Sequence, residues 1–346
     1  MKYFLPMLLF LFLLPIPASA MEITAPSVPS HAADQMPKDT GSFGDGLTEL
    51  LQKAFFSIRP DLRSAVKVCM SLIAVVMAIA IVQNLLTTKK STTELAGTVA
   101  VAGILLMNTN SMIHLGATTI TDLTEYGKLL YPVMTAALAA QGGITVSASL
   151  YAGTMAFISI LTSLLSKILL PLIYVFIALS IACSALSEEF LTRMKSLVKQ
   201  GIGWCLKILV TIFTSYLSIT GVVSGTTDAA VLKAAKVTIS AFVPVVGGIL
   251  SDASESVLVS AAIAKNAAGV YGILAILAVF LEPFLRIGVH YGMLKITAAV
   301  CELLGPKNIT KLVDDFSGAM GLMLAMTGSV CLLLLISTVC FMKGAL

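Results

Sequence analysis

Charge is what this sequence has least of. Charged residues make up 12% of its 346 residues and hydrophobic ones 58%, whereas a soluble domain carries about 25% charged residues. So little charge cannot cover a water-facing surface, and the surplus apolar surface must face lipid or neighbouring helices. Cysteine is sparse as well: there are six. No pair among Cys69, Cys183, Cys205, Cys301, Cys331 and Cys340 has C-x-x-C spacing, and the three histidines lie far from them. Neither a disulfide framework nor a zinc site is expected, and the cysteines read as small apolar packing residues. The basic residues form no run of five or more at a net charge of +4, so no nucleic-acid partner is expected. Nucleophile, zinc-protease and phosphate-loop motifs are missing. Asp228 and Asp252 fall in interfacial stretches rather than in apolar spans, so they do not make a membrane aspartate pair. The chain reads as a non-enzyme without cofactor or metal.

What is present is a series of long apolar runs. Residues 1–20 place Lys2 before an apolar stretch from Phe4 to Leu14, then Pro15 and Pro17, then Ala18-Ser19-Ala20. That is the layout of an export signal cleaved after Ala20, and it puts the mature N-terminus outside the cytoplasm. Residues 21–62 read as an external linker followed by an amphipathic helix. Leu47, Leu50, Leu51, Ala54, Phe55 and Ile58 share its apolar face, which would lie on the membrane surface or pack on the protein itself. Residues 63–130 read as a transmembrane hairpin with an interfacial segment at 118–131. Its first span, Val66 to Leu86, is followed by Lys89 and Lys90, as the positive-inside rule requires of a helix arriving in the cytoplasm. Charge counting does not fix the later spans, because Lys167 favours one orientation and Arg193, Lys195 and Lys199 the other.

Residues 131–225 form a first membrane unit and 226–346 a second. The stretch 187–200 reads as amphipathic, with Leu186, Phe190, Met194 and Leu197 on one face, and Thr226 to Phe242 reads as a surface helix. Ala241 to Leu250 is too short to cross, since a span needs about 20 residues. Pro244, Gly247 and Gly248 therefore mark a broken or re-entrant segment near 241–256, and Asp252 and Glu255 have cap and first-turn spacing for a helix entering at Val257. The segment is either a gate or a structural hairpin. Tyr131-Pro132 with Gly142-Gly143 is answered by Val243-Pro244 with Gly247-Gly248. Pro171 is answered by Pro283, each closing a long apolar helix. Two repeats crossing three times each would be inverted in the membrane; chance placement of proline and glycine is the competing explanation. The expected fold is an all-α, polytopic transmembrane helical bundle of about six or seven spans.

The densest polar constellation is Glu282, Arg286 and His290, stacked on one helical face by their spacing of four. An ionisable group inside a span usually faces a bundle interior or an aqueous cavity, which would make these residues pore-lining or proton-linked. The favoured reading is plainer: a Glu282–Arg286 pair anchoring a helix end at the interface, because Pro283 and Arg286 suggest that the span ends there.

Four short pieces carry a family resemblance. They are Thr226-Thr227-Asp228, Lys233-Ala234-Ala235-Lys236, Phe242-Val243-Pro244-Val245-Val246-Gly247-Gly248 and Leu250-Ser251-Asp252-Ala253. The chain after residue 45 resembles the stage III sporulation protein AE family. The resemblance implies a structural or gating component of a channel linking mother cell and forespore, needed for late forespore development. It implies other stage III sporulation proteins of the same operon as partners. It also implies the forespore stage II sporulation protein Q, reached through the complex, and a location in the mother-cell-derived outer forespore membrane. The alternatives are a secondary transporter built on inverted repeats and a non-conducting assembly scaffold.

Overall fold

The computed structural model describes residues 26–37, 43–85, 90–141, 144–186, 188–242 and 247–343, with the side chains of residues 31, 84, 90–92, 218, 220–265 and 304 outside that description. Every regular element among the described residues is helical. A single turn, α1 (Ser30–Ala33), precedes α2 (Phe43–Ser57) and α3 (Arg59–Leu85). Then come α4 (Lys90–Ala140), α5 (Ile144–Leu164), a π-helical turn (Leu165–Leu169) and α6 (Leu170–Leu186). The chain ends with α7 (Glu189–Phe242), α8 (Gly247–Leu304) and α9 (Lys307–Lys343). Among the described residues, six segments are long and apolar enough to cross a membrane. At about 1.5 Å per residue, the 51 residues of α4 measure roughly 77 Å. Hydrocarbon is only about 30 Å thick, so much of this helix lies outside it.

Contacts fix the relative sense of the helices. Gly97 of α4 meets Ile309 of α9, and Gly127 further along α4 meets Leu334 further along α9; the two run parallel. Gly321 faces Tyr291 and Gly269 faces Met342, so α8 and α9 are antiparallel. Asp61 bonds Arg286 and Val76 meets Gly305, so α3 runs alongside α8 in the same direction. Ser184 bonds Asn308 and Lys195 pairs with Asp315, while Gly318 further along α9 faces Phe176 and Lys199; α6 is therefore antiparallel and α7 parallel to α9. The result is three helical hairpins of one sense: α3–α4, α5/α6–α7 and α8–α9. The helix ends at Leu85 and Lys90, at Leu186 and Glu189, and at Leu304 and Lys307 gather at one end of the bundle. Each hairpin supplies two crossings rather than three, so the two sequence units repeat, if compared, in the same sense; they are not inverted.

The central helix is α9, which buries residues on nearly every face, among them Phe316, Met320, Met323, Met326, Val330 and Leu334. Around it lies one continuous core drawn from α3 to α8. Gly305 makes the tight turn into α9 possible. It rests on Val76, which a Cβ at this position would strike, and its N–H bonds the Cys301 carbonyl at 2.8 Å.

Several expected breaks are not breaks. The segment 118–131 is not a separate element, because α4 continues through it and through Pro132. A proline inside a helix costs about 3 kcal/mol, and local packing offsets it. The Tyr131 hydroxyl donates to the Leu334 carbonyl at 3.0 Å, and its ring stacks on Phe341 with centroids 5.3 Å apart. The expected unit boundary at 131 thus falls within a helix. Pro171 does not close its helix either. It has no N–H for the Lys167 carbonyl, and the π turn directly before it absorbs the lost bond by shifting to five-residue spacing, Leu170 N–H to Leu165 O. Pro283 likewise lies inside α8. The stretch 187–200 opens the long helix α7, and the expected surface helix from 226 continues that same helix. Asp252 and Glu255 do not begin a helix at Val257, because α8 already starts at Gly247.

Part of the apolar face of the amphipathic helix α2 packs on the protein itself. Leu50 and Ala54 are buried, with Leu50 against Leu274 and Ala278 of α8. Leu51, Phe55 and Phe56 stay exposed on its other edge.

Candidate functional site

Two polar layers interrupt the apolar bundle. The first lies where the hairpin turns gather. Ser184, near the end of α6, donates from its hydroxyl to the Asn308 carbonyl at 2.9 Å and stands 3.5 Å from the Thr98 hydroxyl of α4. Asn308, in the first turn of α9, donates its side-chain amide to Glu94 at 2.9 Å. One asparagine therefore joins the ends of all three hairpins. About two turns deeper along α9, Lys195 of α7 pairs with Asp315, their side chains only 7% and 13% exposed. Ser180, Cys183, Thr192 and Asp315 help line an inner cavity of about 120 Å³, room for several water molecules. The apolar cost of burying these groups is met because each hairpin's polar atoms find partners on another.

The second layer follows α8. Glu282, Arg286 and His290 do share one face, as their spacing predicts. Glu282 and Arg286 do not pair with each other, however. Glu282 accepts a bond from the Gln35 amide at 2.8 Å, and Arg286 donates from Nε to Asp61 at 2.8 Å. His290, 4% exposed, places Nδ1 3.0 Å from the Arg286 carbonyl. Lys53 adds bonds to the Met36 carbonyl at 2.7 Å and to Glu49 at 3.0 Å. The layer thus ties the segment before α2, and the start of α3, onto α8. Gln35 and Asp61 carry no sequence signal for this role, since partners more than 200 positions away leave no spacing pattern.

Of the remaining residues singled out by sequence, Asp228 falls in α7, and Asp252 and Glu255 in α8, with side chains outside the described residues. Gly247 and Gly248 open α8, and Pro244 lies outside the described residues. Lys195 and Asp315 were missed: the periodicity of 187–200 suggests a solvated face. Among the described residues, no group of three or more His, Cys, Asp and Glu is placed to hold a metal ion.

Long apolar helices in three hairpins of one sense, cross-linked by buried polar contacts, define a polytopic α-helical membrane protein. Residues 34–344 match the stage III sporulation protein AE family, and the chain belongs to that family. A curated relative, stage III sporulation protein AE of Bacillus subtilis (strain 168), is 27% identical over 206 residues, which are 59% of this chain and 51% of that protein. The match therefore spans about half the relative's length. No solved structure matches the chain.

Proposed function

We propose that this protein is a structural and gating membrane component of the channel between mother cell and forespore, required for late forespore development. The observation that carries the reading is family membership over residues 34–344, on a chain with six segments fit to span a membrane. The inner cavity between α6, α7 and α9 adds support. Ionisable groups inside a membrane bundle usually mark a pathway or a moving joint. The partners on this reading are the other stage III proteins of the operon and, through them, stage II sporulation protein Q. The location is the outer forespore membrane, entered with the signal cleaved after Ala20. An inverted-repeat transporter loses its geometric premise, because the hairpins run in one sense.

Deleting the gene in its spore-forming host tests the proposal. Engulfment should finish, after which the forespore should shrink and a late forespore reporter stay silent. A plasmid-borne copy should restore both. Normal sporulation together with a solute uptake or efflux defect in growing cells would overturn the reading.

A further inference from the structure

A cleft of about 540 Å³ opens at the turn between α8 and α9. Its charged lining is Lys295, Glu302, Lys307, Lys311 and Asp314. Two of these neutralise each other, because Lys295 pairs with Asp314. The Thr310 hydroxyl is committed to the backbone, 3.2 Å from the Cys301 carbonyl and 3.3 Å from that of Pro306. What remains is Lys307 and Lys311 against the single carboxylate of Glu302.

The two lysines are placed against local preference. They are four residues apart on α9, so their charges stand on one face and repel. Both occupy the opening turns of the helix, where the backbone dipole disfavours cations. Among the described residues neither has an ion-pair or hydrogen-bond partner. An anion seated in the cavity would relieve all of these costs together. Further round α8, next in sequence to the lining residues Lys295 and Glu302, apolar side chains stand exposed: Ile296 at 59% and Leu303 at 84%. Exposed apolar side chains next to paired lysines are the surroundings of a membrane headgroup region.

We propose that this cavity binds a phosphate-bearing anion through Lys307 and Lys311, with the neighbouring Ile296 and Leu303 favouring a phospholipid headgroup over free phosphate. Such a ligand would seat the gathered turns at the membrane surface and brace the junction of α8 and α9.

The test titrates phosphatidylglycerol into the full-length protein in non-ionic detergent and counts bound lipid by native mass spectrometry. Inorganic phosphate is titrated in parallel. The double variant K307Q/K311Q should weaken lipid binding about tenfold or more, as expected for loss of two basic groups near a headgroup. K307R/K311R should retain binding, and K128Q, an exposed lysine elsewhere, should leave it unchanged. Displacement of the lipid by millimolar phosphate would assign the site to free phosphate, and persistence of the lipid would assign it to a headgroup. Equal binding of both probes by wild type and K307Q/K311Q, or an equal loss in K128Q, overturns the proposal.

Discussion

Replacing Lys195 with alanine should lower the thermal unfolding midpoint of the detergent-solubilised protein more than removing any other cation in an ion pair. The reason is the partner left behind. Asp315, 13% exposed, would keep a carboxylate inside the bundle with its cation gone, a change that costs about 3–5 kcal/mol. Much of that cost reflects the orphaned charge rather than the net worth of the pair. The double variant K195M/D315L, which removes both charges and keeps apolar volume, should therefore recover most of the loss. Arg193→Ala supplies the contrast. Its partner Glu189 lies 3.7 Å away, but the side chains are 81% and 91% exposed, and surface pairs of this kind are worth about 0–1 kcal/mol. If Lys195→Ala and Arg193→Ala shift the midpoint equally, the Lys195–Asp315 contact is not the joint described here.

Gly153→Val should detach α7 from α5. The Tyr216 ring and hydroxyl lie directly over Gly153, where a Cβ would meet them. The same hydroxyl donates to the Ser149 carbonyl at 2.7 Å, and one turn on, Phe157 stacks on Phe213 with centroids 4.1 Å apart. A valine would expel the tyrosine, break its bond and pry open the stacked pair. Overpacking of this kind costs about 1–3 kcal/mol, and here it falls on the contact that holds the middle hairpin together. Gly103→Val is the matched control, since a Cβ there meets nothing within 4 Å; it should be neutral or slightly stabilising, because valine outranks glycine in helix propensity. Limited proteolysis reads the difference: faster cleavage in α7 is expected for Gly153→Val only. Identical digestion of the two variants would refute this account of the α5–α7 contact.

The sequence showed where apolar length lies, and it showed less of where helices end. Spans near Val66 to Leu86, Asn266 to Leu285 and Gly318 to Met342 are legible because twenty apolar residues have few alternatives. Pro132, Pro171 and Pro283 mislead because a missing N–H is a local signal, whereas what offsets it is distant: Leu334 and Phe341 under Tyr131, or a π turn before Pro171. The same limit applies to the polar layers. The spacing of Glu282, Arg286 and His290 puts them on one face, yet their partners Gln35 and Asp61 are set by tertiary contact. Lys195 reads as solvated because amphipathic periodicity does not say whether a second helix, here α9, covers the polar side. Hairpin sense follows from packing alone, which is why an inverted arrangement could be entertained until Gly97, Gly127 and Gly269 revealed their neighbours.

Reporter fusions within the loops test the architecture most directly. A reporter inserted at residue 88, 187 or 305 should show the same membrane side in all three cases, and one inserted at 142 or 245 should show the opposite side. By the positive-inside rule, Lys89 and Lys90 predict the cytoplasmic side for the first group. A reporter at 187 and one at 305 on opposite sides of the membrane would contradict the three same-sense hairpins.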